Sequence, residues 1–358
     1  MSTHPSVSLV LGTSTGGVGA HVASLVRGLL ADDWPVTVCG PHATDKLFGF
    51  SRAGAVFRPV QIAGAVGDLP AAITLRRACG GAALVHAHGL RAATVAVLAG
   101  TRPLVVTWHN AMLATGPRRA LLTAGERLVA RRATLTLAAS GDLADRVRQL
   151  GGRDVRVAPV AIALAEPTRS PEQTRAELGI DTGRPLVLSI ARLHPQKGLD
   201  VLVDAAARWT GLQAQVVIAG EGPLHAELAA RVAASRAPVR LLGRRTDVAD
   251  LLAAADLVVL PSRWEARSLA AQEALYAGRA LVATAVGGLP ELLGDGARLV
   301  RPDDVDALEV AVRELLADPD GRAALAARGR QQAARWPKET DTIAQVAAVY
   351  RELLGVAP

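Results

Sequence analysis

The sequence predicts an α/β protein with two Rossmann-like, doubly wound parallel-sheet domains that face a central cleft. Short apolar runs alternate with Ala-, Leu- and Arg-rich segments of helical periodicity, a pattern typical of βαβ units and a parallel sheet. The alternation occurs in two series, separated by a stretch that contains Pro167 and Pro171. A length of 358 residues also suits two domains.

The first series contains five predicted strands and four predicted helices. The strands are Val7–Leu11, Val36–Cys39, Ala83–His86, Leu104–Thr107 and Leu135–Ala139. The helices are Ala20–Leu30, Arg91–Ala99, Arg118–Arg132 and Asp142–Leu150. We therefore expect a first domain at residues 1–165, followed by a linker at residues 166–183.

The second series has the same organisation. Its predicted strands are Leu186–Ile190, Gln215–Ala219, Arg240–Leu242, Leu257–Leu260 and Ala280–Thr284. Its predicted helices are Leu199–Trp209, Pro223–Ala234, Val248–Ala255, Ser268–Ala277, Asp304–Ala317 and Gly321–Ala334. The second domain is expected at residues 184–335, and the helix within residues 336–358 is expected to pack back towards the first domain.

Composition excludes several classes of protein. Aromatic residues make up only 3% of the chain, which argues against a stacking platform for single-stranded nucleic acid, and no nucleic-acid partner is expected. Two cysteines without a CxxC pattern exclude a disulfide scaffold and a structural zinc site. No basic segment precedes the first apolar run and no apolar run is long enough to cross a membrane, so a cytoplasmic protein is expected.

The positive charge is concentrated in the first domain. Residues 1–165 carry 17 Lys and Arg against 8 Asp and Glu, whereas the rest of the chain carries 23 against 25. A basic domain indicates anionic partners such as a nucleotide or a phospholipid.

A glycine-rich loop follows the first predicted strand, in the segment Gly12–Gly19. Backbone amides of Gly16 and Gly17 at a helix N-terminus attract a phosphate or a sugar hydroxyl. The loop lacks the third glycine of a dinucleotide fingerprint and the lysine of a P-loop. It does contain the pattern GxSxG, which leaves a serine hydrolase open as an alternative.

Three histidines lie near the ends of predicted strands. His86 and His88 form an HxH pair, but no carboxylate cluster stands nearby in sequence, so no metal site is predicted. A hydrogen-bonded structural role is expected for His86. His109, at the carboxyl end of a strand, is a candidate ligand-binding residue.

Two cations and two carboxylates stand out in the second domain. Arg192 and Lys197 flank the loop after the strand Leu186–Ile190, where fixed cations suit a diphosphate. Glu265 is expected in a loop and Glu273 on the following helix. Because a carboxylate accepts two hydroxyl hydrogens, each can bind a diol of a sugar or a ribose.

These segments together resemble a family 4 retaining glycosyltransferase of the GT-B fold. The specific features are an Arg-x4-Lys-Gly segment, a Glu-x7-Glu segment and a Gly-Gly-x-Pro-Glu segment, in the family's order. The matching stretches are Gly16–Val18, Val85–Gly89, Thr107–Asn110, Ala191–Gly198, Ala219–Pro223, Asp256–Ser262, Glu265–Glu273 and Gly287–Glu291. The resemblance covers nearly the whole chain.

The resemblance implies transfer of a hexose from a nucleoside-diphosphate sugar, UDP- or GDP-linked, to a hydroxyl with retention at the anomeric carbon. It implies that Arg192 and Lys197 neutralise the leaving diphosphate, without a cofactor or a metal. It further implies donor contacts from backbone amides at Gly16, Gly17, Ser268 and Leu269. Residues 1–165 would form the acceptor side and residues 184–335 the nucleotide-sugar side.

In the family's pattern Glu265 holds the donor sugar, Glu273 the ribose and His109 a sugar hydroxyl beside the reaction centre. The sequence departs from this pattern at Ala266-Arg267-Ser268, where the family usually has Gly-Phe-Gly. Arg267 therefore adds a cation to the expected donor-binding segment.

Alternatives remain at this level, and the acceptor is open between a glycan, a lipid and a small molecule. An epimerase or a phosphorylase of the same fold, or a non-catalytic sugar-nucleotide binding protein, would also carry the cationic pair. On the helix Arg118–Arg132, the residues Leu121, Leu122, Leu128 and Val129 gather opposite Arg127 and Arg131. Such a helix either covers the sheet or lies on an anionic membrane at its inner face.

Overall fold

The computed structural model describes residues 4–14, 16–62, 68–110, 117–161, 165–209 and 211–357. The chain divides into two compact units. Unit 1 comprises Met1–Ala163 together with Pro337–Pro358, and unit 2 comprises Leu164–Trp336.

Unit 1 is built on a seven-stranded parallel sheet with strand order β3-β2-β1-β4-β5-β6-β7. The strands are β1 (Val7–Leu11), β2 (Val36–Gly40), β3 (Val56–Pro59), β4 (Leu84–His88), β5 (Leu104–Trp108), β6 (Leu135–Ala138) and β7 (Val155–Val157). The helices are α1 (Gly17–Ala31), α2 (His42–Phe48), α3 (Leu69–Ala78), α4 (Leu90–Leu98), α5 (Pro117–Arg132), α6 (Gly141–Gln149) and the C-terminal α15 (Glu339–Leu354). All five strands predicted for this unit are confirmed within two residues.

Unit 2 is built on a six-stranded parallel sheet with strand order β10-β9-β8-β11-β12-β13. The strands are β8 (Leu186–Ile190), β9 (Gln215–Ala219), β10 (Val239–Gly243), β11 (Leu257–Leu260), β12 (Ala280–Thr284) and β13 (Arg298–Val300). The helices are α7 (Pro171–Glu177), α8 (Leu199–Ala207), α9 (His225–Ser235), α10 (Val248–Ala254), α11 (Leu269–Tyr276), α12 (Leu289–Leu293), α13 (Val305–Ala317) and α14 (Pro319–Ala333). The five predicted strands are again confirmed.

Strand order defines where each unit binds ligands. In unit 1 the direction in which successive strands are added to the sheet reverses between β1 and β4. In unit 2 it reverses between β8 and β11. Open α/β sheets bind ligands outside the carboxyl ends of the strands at such a switch point. Ligand contacts are therefore expected in the segments after β1, β4 and β5 in unit 1 and after β8 and β11 in unit 2.

The segment at residues 166–183, expected as a linker, lies in unit 2. The Asp250 carboxylate on α10 accepts hydrogen bonds from the backbone N–H groups of Thr168, at 2.6 Å, and Arg169, at 3.0 Å. The short helix α7 begins with a capping box in which Ser170 and Gln173 each bond the other's backbone N–H. These bonds attach the segment to the body of unit 2.

The face that helix α5 buries matches the one predicted by the helical wheel only in part. Val129 and Ala130 are buried, as is Glu126, whose carboxylate is held by Arg146 at 2.5 Å. Leu128, expected on the apolar face, is 36% exposed, so that part of the prediction is wrong. Ion pairing lets a glutamate occupy the buried face. The side chain of Leu121 lies outside the described residues.

Helix α15 packs against the sheet of unit 1 through Tyr350. The Tyr350 hydroxyl lies 2.6 Å from Nδ1 of His86, whose Nε2 lies 2.6 Å from the Thr107 hydroxyl. All three side chains are buried. The structural role predicted for His86 is thereby confirmed, and the C-terminal helix is joined to β4 and β5.

We expect Tyr350→Phe to lower the free energy of unfolding of unit 1 by about 1–3 kcal/mol, because it leaves a buried ring nitrogen of His86 without a partner. Thermal and urea denaturation would measure the change. Tyr276→Phe is the matched control, since the Tyr276 hydroxyl has no hydrogen bond within the described residues. Equal effects of the two substitutions would contradict the role given to Tyr350.

Candidate functional site

The glycine-rich loop of unit 1 leads directly into α1. Gly16 is the N-cap of this helix, and a side chain added there would meet nothing within 4 Å. At Gly19, by contrast, a Cβ would collide with the Phe48 ring, so this glycine permits α1 to pack against α2. The space beside Gly16, at the start of α1, is thus open within the described residues, as a ligand contact requires.

Ser14, the serine of the GxSxG pattern, is hydrogen-bonded to the first turn of α1. The Ser14 hydroxyl oxygen accepts a hydrogen bond from the N–H of Gly19 at 3.0 Å. Among the described residues, no histidine or carboxylate is hydrogen-bonded to Ser14. This arrangement lacks the base that a nucleophilic serine needs.

Three buried histidines meet at the switch point of unit 1, and we call His21, His88 and His109 the three-histidine cluster. His88 ends β4, His109 follows β5, and His21 lies on α1. Nδ1 of His88 lies 3.3 Å from Nε2 of His109, and one ring nitrogen of each member lies within 4.8 Å of those of the other two. The sequence singled out His88 and His109 but missed His21.

Burial keeps these rings neutral. It lowers the pKa of His21 to about 4 and that of His86 to about 3. The pKa values of His88 and His109 are also well below the usual range, because of burial first and the neighbouring imidazoles second. A neutral His109 can accept a hydrogen bond from, or donate one to, a sugar hydroxyl.

Lys197 and Glu265 meet at the switch point of unit 2. The Lys197 ammonium lies 2.5 Å from Oε1 of Glu265, and the Ser262 hydroxyl donates to the same oxygen at 2.9 Å. Both partners of the ion pair are largely buried. The Thr284 hydroxyl in turn donates to the Ser262 carbonyl. The carboxylate of Glu265 is therefore held through Oε1 by both Lys197 and Ser262.

Two glycines allow the loops of unit 2 to approach one another. Gly198 has a φ of +59°, and a Cβ there would overlap the Pro261 carbonyl. Gly287 has a φ of +51°, and a Cβ there would overlap the Glu265 carbonyl, which accepts the N–H of Gly288 at 2.9 Å. A side chain at either position would push the loops after β8 and β12 away from the Glu265 segment.

Arg192 stands exposed at the start of the loop that carries Lys197. Among the described residues, no acceptor is hydrogen-bonded to its guanidinium. Burial, and then the positive charges of Arg192 and Lys197, lower the pKa of His194 in the same loop. The loop is thus electropositive, as expected of a site for an anion.

Arg267 packs against an aromatic side chain. Its guanidinium lies 5.7 Å from the centre of the Trp336 ring, which packs edge-on against Tyr276. Burial lowers the pKa of Arg267. A cation–π contact of this kind anchors the segment in which the family pattern usually has an aromatic ring.

Ser268 and Leu269 form the start of α11. Ser268 is the N-cap, and its hydroxyl oxygen accepts the N–H of Ala271 at 3.4 Å. Leu269 is the first helical residue. The first amides of a helix have no partner inside it, so they are available to an anion.

Glu273 lies on α11, as predicted, and is half-buried. Within the described residues, no donor or cation pairs with its carboxylate. Burial alone raises its pKa to about 7. A buried carboxylate without a partner is costly to the fold, which marks it as a candidate for binding a ligand.

Sequence reasoning found the charged residues but missed their supports. Ser262 and Thr284, which fix Glu265, carry no sequence signal beyond their position at strand ends. His21 stands one helical turn after Gly17 in α1, a spacing that places it beneath the loop. Only the packing of α1 on the sheet brings it to His88 and His109.

Two family descriptions match successive parts of the chain. "Glycosyl transferase 4-like domain" matches residues 16–163, and "Glycosyl transferases group 1" matches residues 170–332. The chain belongs to the family 4 glycosyltransferases. Among the described residues, no helix is long and apolar enough to cross a membrane.

A relative supports this assignment, and two solved structures support the fold. The chain is 33% identical over 308 residues to the D-inositol 3-phosphate glycosyltransferase of Mycobacterium tuberculosis (strain H37Rv), an alignment that covers 76% of this chain and 62% of the relative. The Anabaena protein HepE in complex with UDP and glucose has a TM-score of 0.83 at 22% identity, with 97% and 99% of the two chains covered. Sucrose-phosphate synthase from Thermosynechococcus elongatus has a TM-score of 0.83 at 20% identity, with 99% and 100% covered. The predicted GT-B fold with two doubly wound domains is thereby confirmed.

We expect Glu273→Gln to stabilise the protein increasingly as the pH rises from 4.5 to 7. The folded state raises the pKa of Glu273 from 4.5 to about 7, so it favours the protonated acid. The cost of the charged form is absent below pH 4.5 and fully present above pH 7, where the variant should gain up to about 3 kcal/mol. Urea denaturation at a series of pH values measures this difference.

The exposed Glu166 provides the control, because Glu166→Gln should show no such trend. A difference between wild type and Glu273→Gln that does not change with pH would contradict the burial of this carboxylate.

Proposed function

We propose that this protein transfers a hexosyl group from a nucleoside-diphosphate sugar, UDP- or GDP-linked, to a hydroxyl acceptor, with retention at the anomeric carbon and without a catalytic metal. The chain spans about 62% of the length of the curated relatives it matches, so their activity is carried over only as part of this proposal. The proposal assigns the nucleotide sugar to unit 2 and the acceptor to unit 1.

The observation that carries the proposal is the charge arrangement at the switch point of unit 2. Arg192 and Lys197 follow β8, and Glu265 and Glu273 follow β11, the two strands between which the strand order reverses. Arg192 is exposed and Lys197 is paired with Glu265. Within the described residues, Glu273 has no partner. Cations for a diphosphate and carboxylates for two diols are the groups that a nucleotide sugar requires.

Negative charge develops on the diphosphate as the glycosidic bond breaks. Arg192 and Lys197 stabilise this charge, assisted by the amides at the start of α11, at Ser268 and Leu269, and by those at Gly16 and Gly17. Preorganised donors of this kind are usually the largest single contribution to catalysis. Fixed protein cations meet the electrostatic need that a metal ion meets in other transferases.

The neutral and acidic residues orient the donor. Glu265 holds hydroxyls of the donor sugar while Lys197 and Ser262 keep its carboxylate in place. Glu273 binds the ribose diol, and the hydroxyl hydrogen bonds compensate the burial of its carboxylate. His109 contacts a sugar hydroxyl beside the reaction centre. In the proposed mechanism the departing phosphate takes the proton of the acceptor hydroxyl.

The charge of unit 1 favours an anionic acceptor. Residues 1–165 carry nine more basic than acidic side chains, and the relatives named D-inositol 3-phosphate glycosyltransferase have a phosphorylated acceptor in their name. A phosphorylated polyol and a lipid-linked phosphate share this chemistry. In the second case the basic helix α5 would be the membrane contact, and sedimentation with anionic vesicles would separate the two.

We expect Lys197→Ala or Arg192→Ala to lower turnover by about 10²–10³-fold, the usual effect of losing one donor to a developing anion. Product formation from a nucleoside-diphosphate sugar measures the rate, and it should persist in excess EDTA. Lys46→Ala, which removes an exposed lysine of α2, is the matched control. Rates near wild type in a folded Lys197→Ala variant would refute the role of the cation.

We expect Glu273→Ala to weaken binding of the free nucleoside diphosphate by about 1–3 kcal/mol, because a charged hydrogen-bond acceptor is lost. Calorimetry measures the affinity, and the 2′,3′-dideoxy analogue should bind both forms of the protein equally. If Glu273→Ala still bound the nucleoside diphosphate more tightly than its dideoxy analogue, by the same factor as the wild type, the ribose would be bound elsewhere.

A further inference from the structure

The three-histidine cluster lies where a doubly wound sheet binds ligands, yet the proposed transfer uses only one of its members. His88 and His109 come from the carboxyl ends of the adjacent strands β4 and β5, and His21 from the helix after β1. These elements meet at the switch point of unit 1. Three imidazoles converging at this point need a reason beyond packing.

The spacing of the ring nitrogens suits a common ligand. Nδ1 of His88 and Nε2 of His109 are hydrogen-bonded to each other at 3.3 Å, a bond that a metal ion would replace. Two nitrogens bound tetrahedrally to zinc at 2.0–2.1 Å stand about 3.3–3.4 Å apart, so this pair already has the required separation. One nitrogen of His21 lies within 4.8 Å of the other two and has to approach them for all three to share an ion.

Hydrogen bonding leaves the cluster incompletely satisfied. Nδ1 of His21 and Nε2 of His88 are buried without a hydrogen-bond partner among the described residues. His86, whose ring stacks beside that of His88, has both nitrogens bonded to protein groups. His21 and His88 therefore each keep one unbonded buried ring nitrogen, whereas His86 keeps none.

We propose that His21, His88 and His109 bind a divalent transition metal ion that prefers imidazole, with Zn²⁺ as the representative. Within the described residues, no carboxylate or cysteine completes the cluster. Three histidines leave a fourth coordination position for water or an exogenous ligand. The sequence misses this site because its third ligand is distant from the HxH segment along the chain.

A metal bound at Nε2 of His109 leaves this nitrogen unable to bind a sugar hydroxyl. The metal therefore inhibits transfer, a consequence that rests on the function proposed above. Binding of the metal itself does not depend on that function. The ion is a regulator of the site and takes no part in the chemical step.

Competition between the metal-stripped full chain and a chromogenic Zn²⁺ chelator tests the site. We expect one ion per chain, and His21→Gln or His88→Gln should weaken binding by more than about 100-fold, because outer-shell partners alone contribute 10–100-fold. His42→Gln, which alters an exposed histidine of the same unit, should change nothing. Undiminished binding in a folded His21→Gln variant would overturn the proposal.

Cobalt provides a test that needs no variant. Co²⁺ added to the wild-type chain should give the intense visible d–d absorption of four-coordinate cobalt, and Zn²⁺ should abolish it. A spectrum of octahedral, hydrated cobalt alone would overturn the proposal even if every histidine variant failed to fold.

Transfer assays with and without Zn²⁺ separate the two proposals. We expect reversible inhibition that EDTA relieves, and a ratio of inhibited to uninhibited rate that approaches one in His21→Gln. Histidine-dependent Zn²⁺ binding in a protein without transferase activity would refute the proposed function and leave the metal site intact. Transferase activity in a protein that does not bind Zn²⁺ would refute the metal site and leave the proposed function intact.

Discussion

The chemistry of unit 2 depends on how closely three loops pack at the carboxyl edge of its sheet. The Glu265 segment is held between the loop after β8 and the loop after β12, with its backbone carbonyl bonded to Gly288 and its carboxylate bonded to Lys197. Gly198 and Gly287 make this possible, because each has a backbone conformation and a closeness to a carbonyl that a side chain would not tolerate. The position of the ion pair is therefore set by backbone sterics.

Glu126, Glu265 and Glu273 differ in how their charge is compensated. Glu126 is bonded to Arg146 and Glu265 to Lys197, so each charge is compensated inside the fold. Glu273 has no such compensation within the described residues, and its pKa shows the cost. A fold keeps an uncompensated group of this kind where a ligand supplies the missing partner, which is why Glu273 is a stronger indication of a binding site than the better-connected Glu265.

The interior strands of both sheets and the edge strand β10 could be predicted from the sequence, whereas the other three edge strands could not. The three strands that the apolar runs missed, β3, β7 and β13, are all edge strands. Edge strands bury less, as the 51% exposure of Val56 and the 37% exposure of Val157 show, so they leave no continuous apolar run to detect. Helix α5 was predicted only in part, because the buried Glu126, paired with Arg146, occupies the inner face while Leu128 is exposed.

Site prediction followed the same division. Charged residues next to a strand end, such as Lys197 and Glu265, are visible in sequence because few other roles suit them there. His21 could not be predicted from the sequence because its neighbours, His88 and His109, come from β4 and β5. The three rings meet only because the crossover places β4 beside β1 and β5 beside β4. The two switch points thus receive opposite chemistry from the same topology. In unit 2 the loops present fixed charges that suit an anionic leaving group, whereas in unit 1 burial holds three imidazoles neutral, in a form that can bind hydroxyls or a metal without repelling either.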